Sequence, residues 1–143
     1  MVTNRRLNYL LFSLLALFAG VFCYYIFRDF NMIFFRMFNI KIMHANIRPV
    51  SDNFFIYFLK YNLCDGLWLI SGIFFLRFLW INNPGIGGYY IKIFIGIALL
   101  LELFQLIKPF PGTFDIFDLF TMASFALLEH CINNFLPLTR RQK

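Results

Sequence analysis

Four long apolar runs alternate with shorter polar, turn-rich links along the chain. Residues 7–27 carry no charge and close at Arg28 and Asp29. Residues 63–81 hold Asp65 near their start and Arg77 near their end. Residues 90–107 close at Lys108 and Pro109, and residues 116–136 stop at Pro137 and a basic tail. A helix needs about 20 apolar residues, rising about 1.5 Å each, to cross about 30 Å of hydrocarbon. Each run approaches that length, so the pattern predicts four transmembrane helices.

Residues 30–62, between the first two runs, do not fit a crossing. Phe30, Ile33, Phe34, Met37 and Phe38 recur at helical spacing, with Asn31, Arg36 and Asn39 on the other side. That is an amphipathic helix lying in the membrane interface or packed over the bundle mouth. Phe54, Tyr57, Phe58 and Tyr61 repeat the pattern after Ser51-Asp52-Asn53, a helix-start signal. The remaining links are brief. Residues 82–88 (Asn-Asn-Pro-Gly-Ile-Gly-Gly) read as a turn, as does Pro109-Phe110-Pro111-Gly112-Thr113. Short links make neighbours antiparallel. The predicted architecture is an all-α membrane protein, a single domain over residues 1–143. It is a four-helix up-down bundle with short interfacial helices between spans one and two.

Composition agrees. Hydrophobic residues make up 61% of the chain and charged residues 14%, against roughly 45–50% and 25% in soluble domains. A soluble core of this size could not bury so much apolar surface, and the 22 phenylalanines suit lipid. The formal charge of +6 does not imply nucleic acid, because the basic residues sit between the runs and at the ends rather than on one folded face. Cys23, Cys64 and Cys131 show neither disulfide nor metal-site spacing. No cofactor or metal is expected. The first run is too long for a signal-peptide core and lacks a small-residue cleavage site, so it reads as a span.

With four spans both termini share one side. The basic residues divide almost evenly between sides, but those nearest the first and last spans (Arg5, Arg6, Arg140, Arg141 and Lys143) are terminal. This predicts both termini in the cytoplasm.

Threading the spans gathers the acidic residues. Asp65 opens span two, Glu102 and Gln105 lie near the end of span three, and Asp115 and Asp118 open span four. All five then meet at the outer face. Glu102 and Gln105, and likewise Asp115 and Asp118, are three apart and share a helical face. An ionisable group within a span is costly and ordinarily faces a partner inside the bundle. Lys108, Lys60 and Arg48 are the cations on that side, and Arg48 can donate two parallel bonds to a carboxylate. Asp65, Glu102, Gln105, Asp115, Asp118 and Arg48 are therefore the candidate binding residues. The structural alternative has Asp115 or Thr113 capping span four, with Asp118 favoured by the helix dipole. In the inner half, Glu129 and His130 read as a packed or snorkelling polar pair, and Arg77 as snorkelling to the surface. Trp68 and Trp80 read as interfacial anchors.

At these positions the chain resembles the VanZ-like family of small bacterial membrane proteins, named for a teicoplanin-resistance protein. The resemblance rests on Glu102-Leu103-Phe104-Gln105, the short Pro/Gly turn, and Gly112-Thr113-Phe114-Asp115-Ile116-Phe117-Asp118. It also includes Asp65-Gly66-Leu67-Trp68, and it covers about residues 60–136. The family commonly has an arginine just before the aspartate pair, where this chain has Pro111-Gly112-Thr113, so the resemblance is to a divergent member. It implies a multi-pass protein of the bacterial inner membrane, connected for some members with glycopeptide tolerance. Three functions stay open. The acidic cluster binds a cationic, lipid-linked or glycopeptide-type envelope ligand; the chain is a structural membrane partner without its own chemistry; or it is an intramembrane cation-dependent enzyme. The third would need oxygen ligands suited to magnesium or calcium, and no Ser or Cys nucleophile beside a histidine is evident.

Overall fold

A computed structural model describes residues 2–27, 53, 57–58, 61–107 and 114–135. These residues form four helices and no strand: α1 (Val2–Phe27), α2 (Leu63–Leu79), α3 (Pro84–Phe104) and α4 (Ile116–Phe135). Most of the expected interfacial segment, including Arg48, lies outside the described residues, as do Lys60 and Lys108. Where the segment is described it is helically bonded. The Tyr57 N–H donates to the Asn53 carbonyl and the Asn62 N–H to the Phe58 carbonyl, both at 3.0 Å. Each is an i to i−4 bond, the spacing of an α-helix.

The α2 helix is the hub and packs against each of the other three. Its pairings fix the helix directions. Arg6 lies over the Phe78 ring, Tyr9 meets Phe74, and Ser13 bonds Ser71, so α1 runs antiparallel to α2. Trp80 stacks on Tyr90 and Gly72 abuts Phe94, so α3 is also antiparallel to α2. Asn62 reaches Asp118, Gly66 abuts Thr121, and Arg77 reaches Glu129, so α4 runs parallel to α2. Successive helices therefore alternate in direction, as the short links from α2 to α3 and from α3 to α4 require of those pairs.

The link between α2 and α3 is tighter than the sequence predicts. Residues 84–88 are helical rather than a turn, and α3 begins at Pro84, six residues before the continuous apolar run. Proline is well placed at the first position of a helix, where its missing N–H has no intrahelical partner to lose and its φ is already helical. Gly87 serves close approach rather than turning, since a Cβ there would lie 2.8 Å from the Trp80 Cβ. Trp80, read as an interfacial anchor, thus packs on the first turns of α3. The turn contracts to residues 80–83.

Polar and apolar side chains are distributed inside out. Leu69 and Ile73 of α2 and Ile91 of α3 form a small buried core, flanked by Phe94 and Met122. Beside it Ser13, Asn62, Ser71, Glu102, Asp118, Thr121 and Glu129 are all buried. Large apolar side chains face outward instead, among them Phe18 at 67% exposure and Phe120 at 73%. Leu7, Leu11, Leu15, Phe18 and Phe22 make one continuous exposed stripe on α1, at the spacing of a single helical face. Apolar surface this continuous is rare on a monomer in water. Two helices, Arg5–Ile26 within α1 and Pro84–Phe104, are long and apolar enough to cross a membrane. The α2 helix has 17 residues with Asp65 and Arg77 within it, and α4 carries Asp118 and Glu129.

Candidate polar site at one end of the helices

The N-termini of α2 and α4 lie beside the C-terminus of α3, and polar side chains collect there. Glu102 sits in the last turn of α3 at 5% exposure. The Gln105 amide donates to its Oε2 at 2.7 Å, the i to i+3 contact that the spacing predicts. The Asp115 N–H, just before α4, points at Glu102 Oε1 at 3.5 Å, which is long for such a bond. Glu102 therefore ties the end of α3 to the start of α4.

Asp115 has two tasks. Its Oδ1 accepts the Phe117 N–H at 2.9 Å and its carbonyl accepts the Asp118 N–H at 3.1 Å. Those bonds satisfy N–H groups that a helix start leaves without intrahelical partners, so Asp115 caps α4. Its Oδ2 accepts the Tyr57 hydroxyl at 3.2 Å, joining the segment before α2 to the same corner. The Tyr57 phenol is pushed above its ordinary pKa, by desolvation first and then by the Asp115 carboxylate. It therefore stays protonated and donates.

Asp118 lies one turn further, buried at 6% exposure. Its Oδ1 accepts the Asn62 amide at 2.7 Å. Asn62 is itself almost fully enclosed, at 1% exposure, immediately before the first residue of α2. Asp65 follows three residues later in the first turn of α2 and is half-buried. Gly66 lets α4 come close, because a Cβ there would lie 2.9 Å from Thr121 Cγ2 and 2.7 Å from the Phe125 ring. Thr121 is buried between the two helices. Glu102, Gln105 and Asp115 thus form one bonded chain, and Asp118 with Asn62 a second. The backbone bond between Asp115 and Asp118 joins them. Among the described residues no group of three or more His, Cys, Asp or Glu side chains is placed to hold a metal ion.

Three members of this corner are not singled out by sequence pattern: Tyr57, Asn62 and Thr121. Asn62 lies three residues before Asp65, and Thr121 three after Asp118, so helical spacing from the aspartates is the signal that finds them.

A separate polar contact occupies the opposite half of the bundle. Arg77 of α2 pairs with Glu129 of α4 through its Nε, with the arginine side chain at 15% exposure and the glutamate at 4%. Arg77 therefore does not snorkel to the surface. Of the neighbouring Glu129 and His130, the glutamate is buried while the histidine is exposed. Adjacent residues on a helix point about 100° apart, so one faces α2 and the other does not. Tyr9 of α1 is buried nearby. Comparison of the chain with family models, with curated proteins and with solved structures finds no match to any of them.

Proposed function

We infer that the chain is a multi-pass protein of the bacterial inner membrane with four spans and cytoplasmic termini. Its outer-end polar cluster binds the cationic part of a lipid-linked or glycopeptide-type envelope ligand, a reading that goes beyond the glycopeptide tolerance which the VanZ-like resemblance implies for some members. One observation carries this reading. Glu102 is buried, is bonded by Gln105, and faces the start of the helix that bears Asp115 and Asp118. These are the residues on which the resemblance rests, and they meet at one end of the bundle. The outward apolar surface and buried polar interior support the four-span reading. Lipid is the one solvent that favours such an arrangement, because the apolar side chains then face hydrocarbon and the polar ones are kept away from it. Helix α2 spans roughly 26 Å at its 17 residues, and the helical bonds through Asn62 and Trp80 lengthen it toward the hydrocarbon thickness.

A second reading is favoured by the capping bonds of Asp115 and by the buried serine and ion-pair contacts of α2. In it the polar residues are interhelical glue, and the chain is a structural partner in the membrane.

The experiment is a deletion strain assayed for teicoplanin susceptibility and envelope integrity, with reporter fusions at Lys143 and Gly112. Increased susceptibility, a cytoplasmic signal at Lys143 and an external one at Gly112 are expected. The reverse fusion pattern would put the cluster on the cytoplasmic side and end the envelope-ligand reading.

A further inference from the structure

The carboxylates of the outer cluster have architectural work. Glu102 holds Gln105 and the Asp115 backbone, Asp115 caps α4 and holds Tyr57, and Asp118 holds Asn62. The informative atoms are two neutral oxygens beside them. Asn62 Oδ1 and Thr121 Oγ1 are both buried without a hydrogen-bond partner. The direction of the Asn62 amide is set by its nitrogen, which donates to Asp118, so its oxygen is an acceptor in the same corner. Thr121 stands on α4 three residues after Asp118, against Gly66, which lies four residues after Asn62. Both oxygens therefore lie along the one seam where α2 and α4 run parallel.

A buried oxygen without a donor costs free energy, so two on one seam beside a carboxylate favour a bound group that can serve them. Asn62 Oδ1 can only accept, and Thr121 Oγ1 has lone pairs to offer. The matching group is small, positively charged and bare of its own hydration. Hard oxygens suit such cations, and the burial of both atoms excludes a bulky one.

We propose that Asn62 Oδ1 and Thr121 Oγ1, beside Asp118, form a site for a small monovalent cation. The occupant is an alkali ion or the primary ammonium of an envelope headgroup. This deepens the ligand-binding reading above and rests on it for biological meaning. It adds two uncharged residues to the recognition that the carboxylates of the cluster supply.

The test uses the full chain purified in detergent and measures its Tm in sodium chloride, ethylammonium chloride and choline chloride at equal ionic strength. Choline is the control, because its quaternary nitrogen is bulky and carries no N–H. At tenfold excess over Kd the matching cation raises Tm by about 4–6 °C, and choline does not. Thr121→Val keeps the shape and removes the hydroxyl; it abolishes the shift. Its own Tm without cation is unchanged or higher, since an unpartnered hydroxyl has been removed. Thr121→Ser retains the hydroxyl and retains the shift. A sodium response assigns the site to a free ion, and an ethylammonium response to a headgroup amine. Equal shifts in all three salts, no shift in any, or a full shift in Thr121→Val overturns the proposal. Those results leave the envelope phenotype of a Glu102 variant unaffected, so the two readings fail separately.

Discussion

Ser13 of α1 and Ser71 of α2 bond each other's backbone. Each hydroxyl donates to the other residue's carbonyl at 3.0 Å, across 58 positions of sequence. Both serines are buried, and their oxygens are 3.5 Å apart. The small side chains let the two backbones approach closely.

This arrangement predicts a graded response. Ser13→Ala and Ser71→Ala should each destabilise by about 0.6 kcal/mol, the average for interhelical side-chain bonds in membranes, because neither leaves an unsatisfied group. Ser13→Leu should cost about 1–3 kcal/mol by forcing α1 away from α2. Unfolding in mixed micelles measures both. Equal effects for alanine and leucine would mean that close packing of α1 on α2 is not what holds them.

Gly87 and Gly88 are neighbours with opposite expectations. A Cβ at Gly87 meets the Trp80 Cβ at 2.8 Å, an atom that moves only with its backbone, whereas one at Gly88 meets nothing within 4 Å. Gly87→Ala should therefore destabilise by about 1–3 kcal/mol through overpacking of the link between α2 and α3. Gly88→Ala should stabilise by up to about 1 kcal/mol through helix propensity. Thermal unfolding of the two variants side by side decides it; the same sign for both would contradict the helical start of α3 at Pro84.

The Arg77–Glu129 pair predicts strong non-additivity. Removing one partner strands a buried charge, so Arg77→Met or Glu129→Leu alone should cost about 3–5 kcal/mol. The double replacement removes both charges and should be near neutral. A double-mutant cycle on protein abundance and unfolding measures the coupling. If the two single effects simply add, the contact contributes nothing as a pair.

The legible part of this molecule is the part governed by local chemistry. Apolar runs place α1, α2 and α4 to within a few residues, because run length and charge positions are local. The Glu102–Gln105 bond follows from a three-residue spacing alone. The start of α3 was not legible, since Pro84 and three glycines are helix breakers by propensity and become helical only where Gly87 must admit Trp80. Arg77 and Glu129 lie 52 positions apart, and a lone arginine near a span end is equally consistent with snorkelling. Asn62 and Thr121 carry no charge, so only their three-residue spacing from Asp65 and Asp118 distinguishes them from ordinary polar residues.

Glu102 is where the binding and structural readings diverge most sharply. Its carboxylate accepts from Gln105 and faces the Asp115 N–H from a nearly enclosed position in the last turn of α3. Glu102→Gln keeps the size and one carbonyl acceptor but removes the charge; Glu102→Leu removes both. If the cluster's negative charge is needed for a cationic ligand, Glu102→Gln should reproduce the deletion phenotype at normal protein abundance. If Glu102 only joins α3 to α4, the glutamine amide can still accept one bond, and the loss should be about 1 kcal/mol or less. Glu102→Leu would then be the damaging change, because the half-buried Gln105 amide and Asp115 N–H both lose their acceptor, at about 1 kcal/mol or more for each. The measurement is abundance and envelope phenotype for both variants in one strain background. A silent Glu102→Gln beside a clear deletion phenotype would falsify the charged-site reading and leave Glu102 as a helix tie.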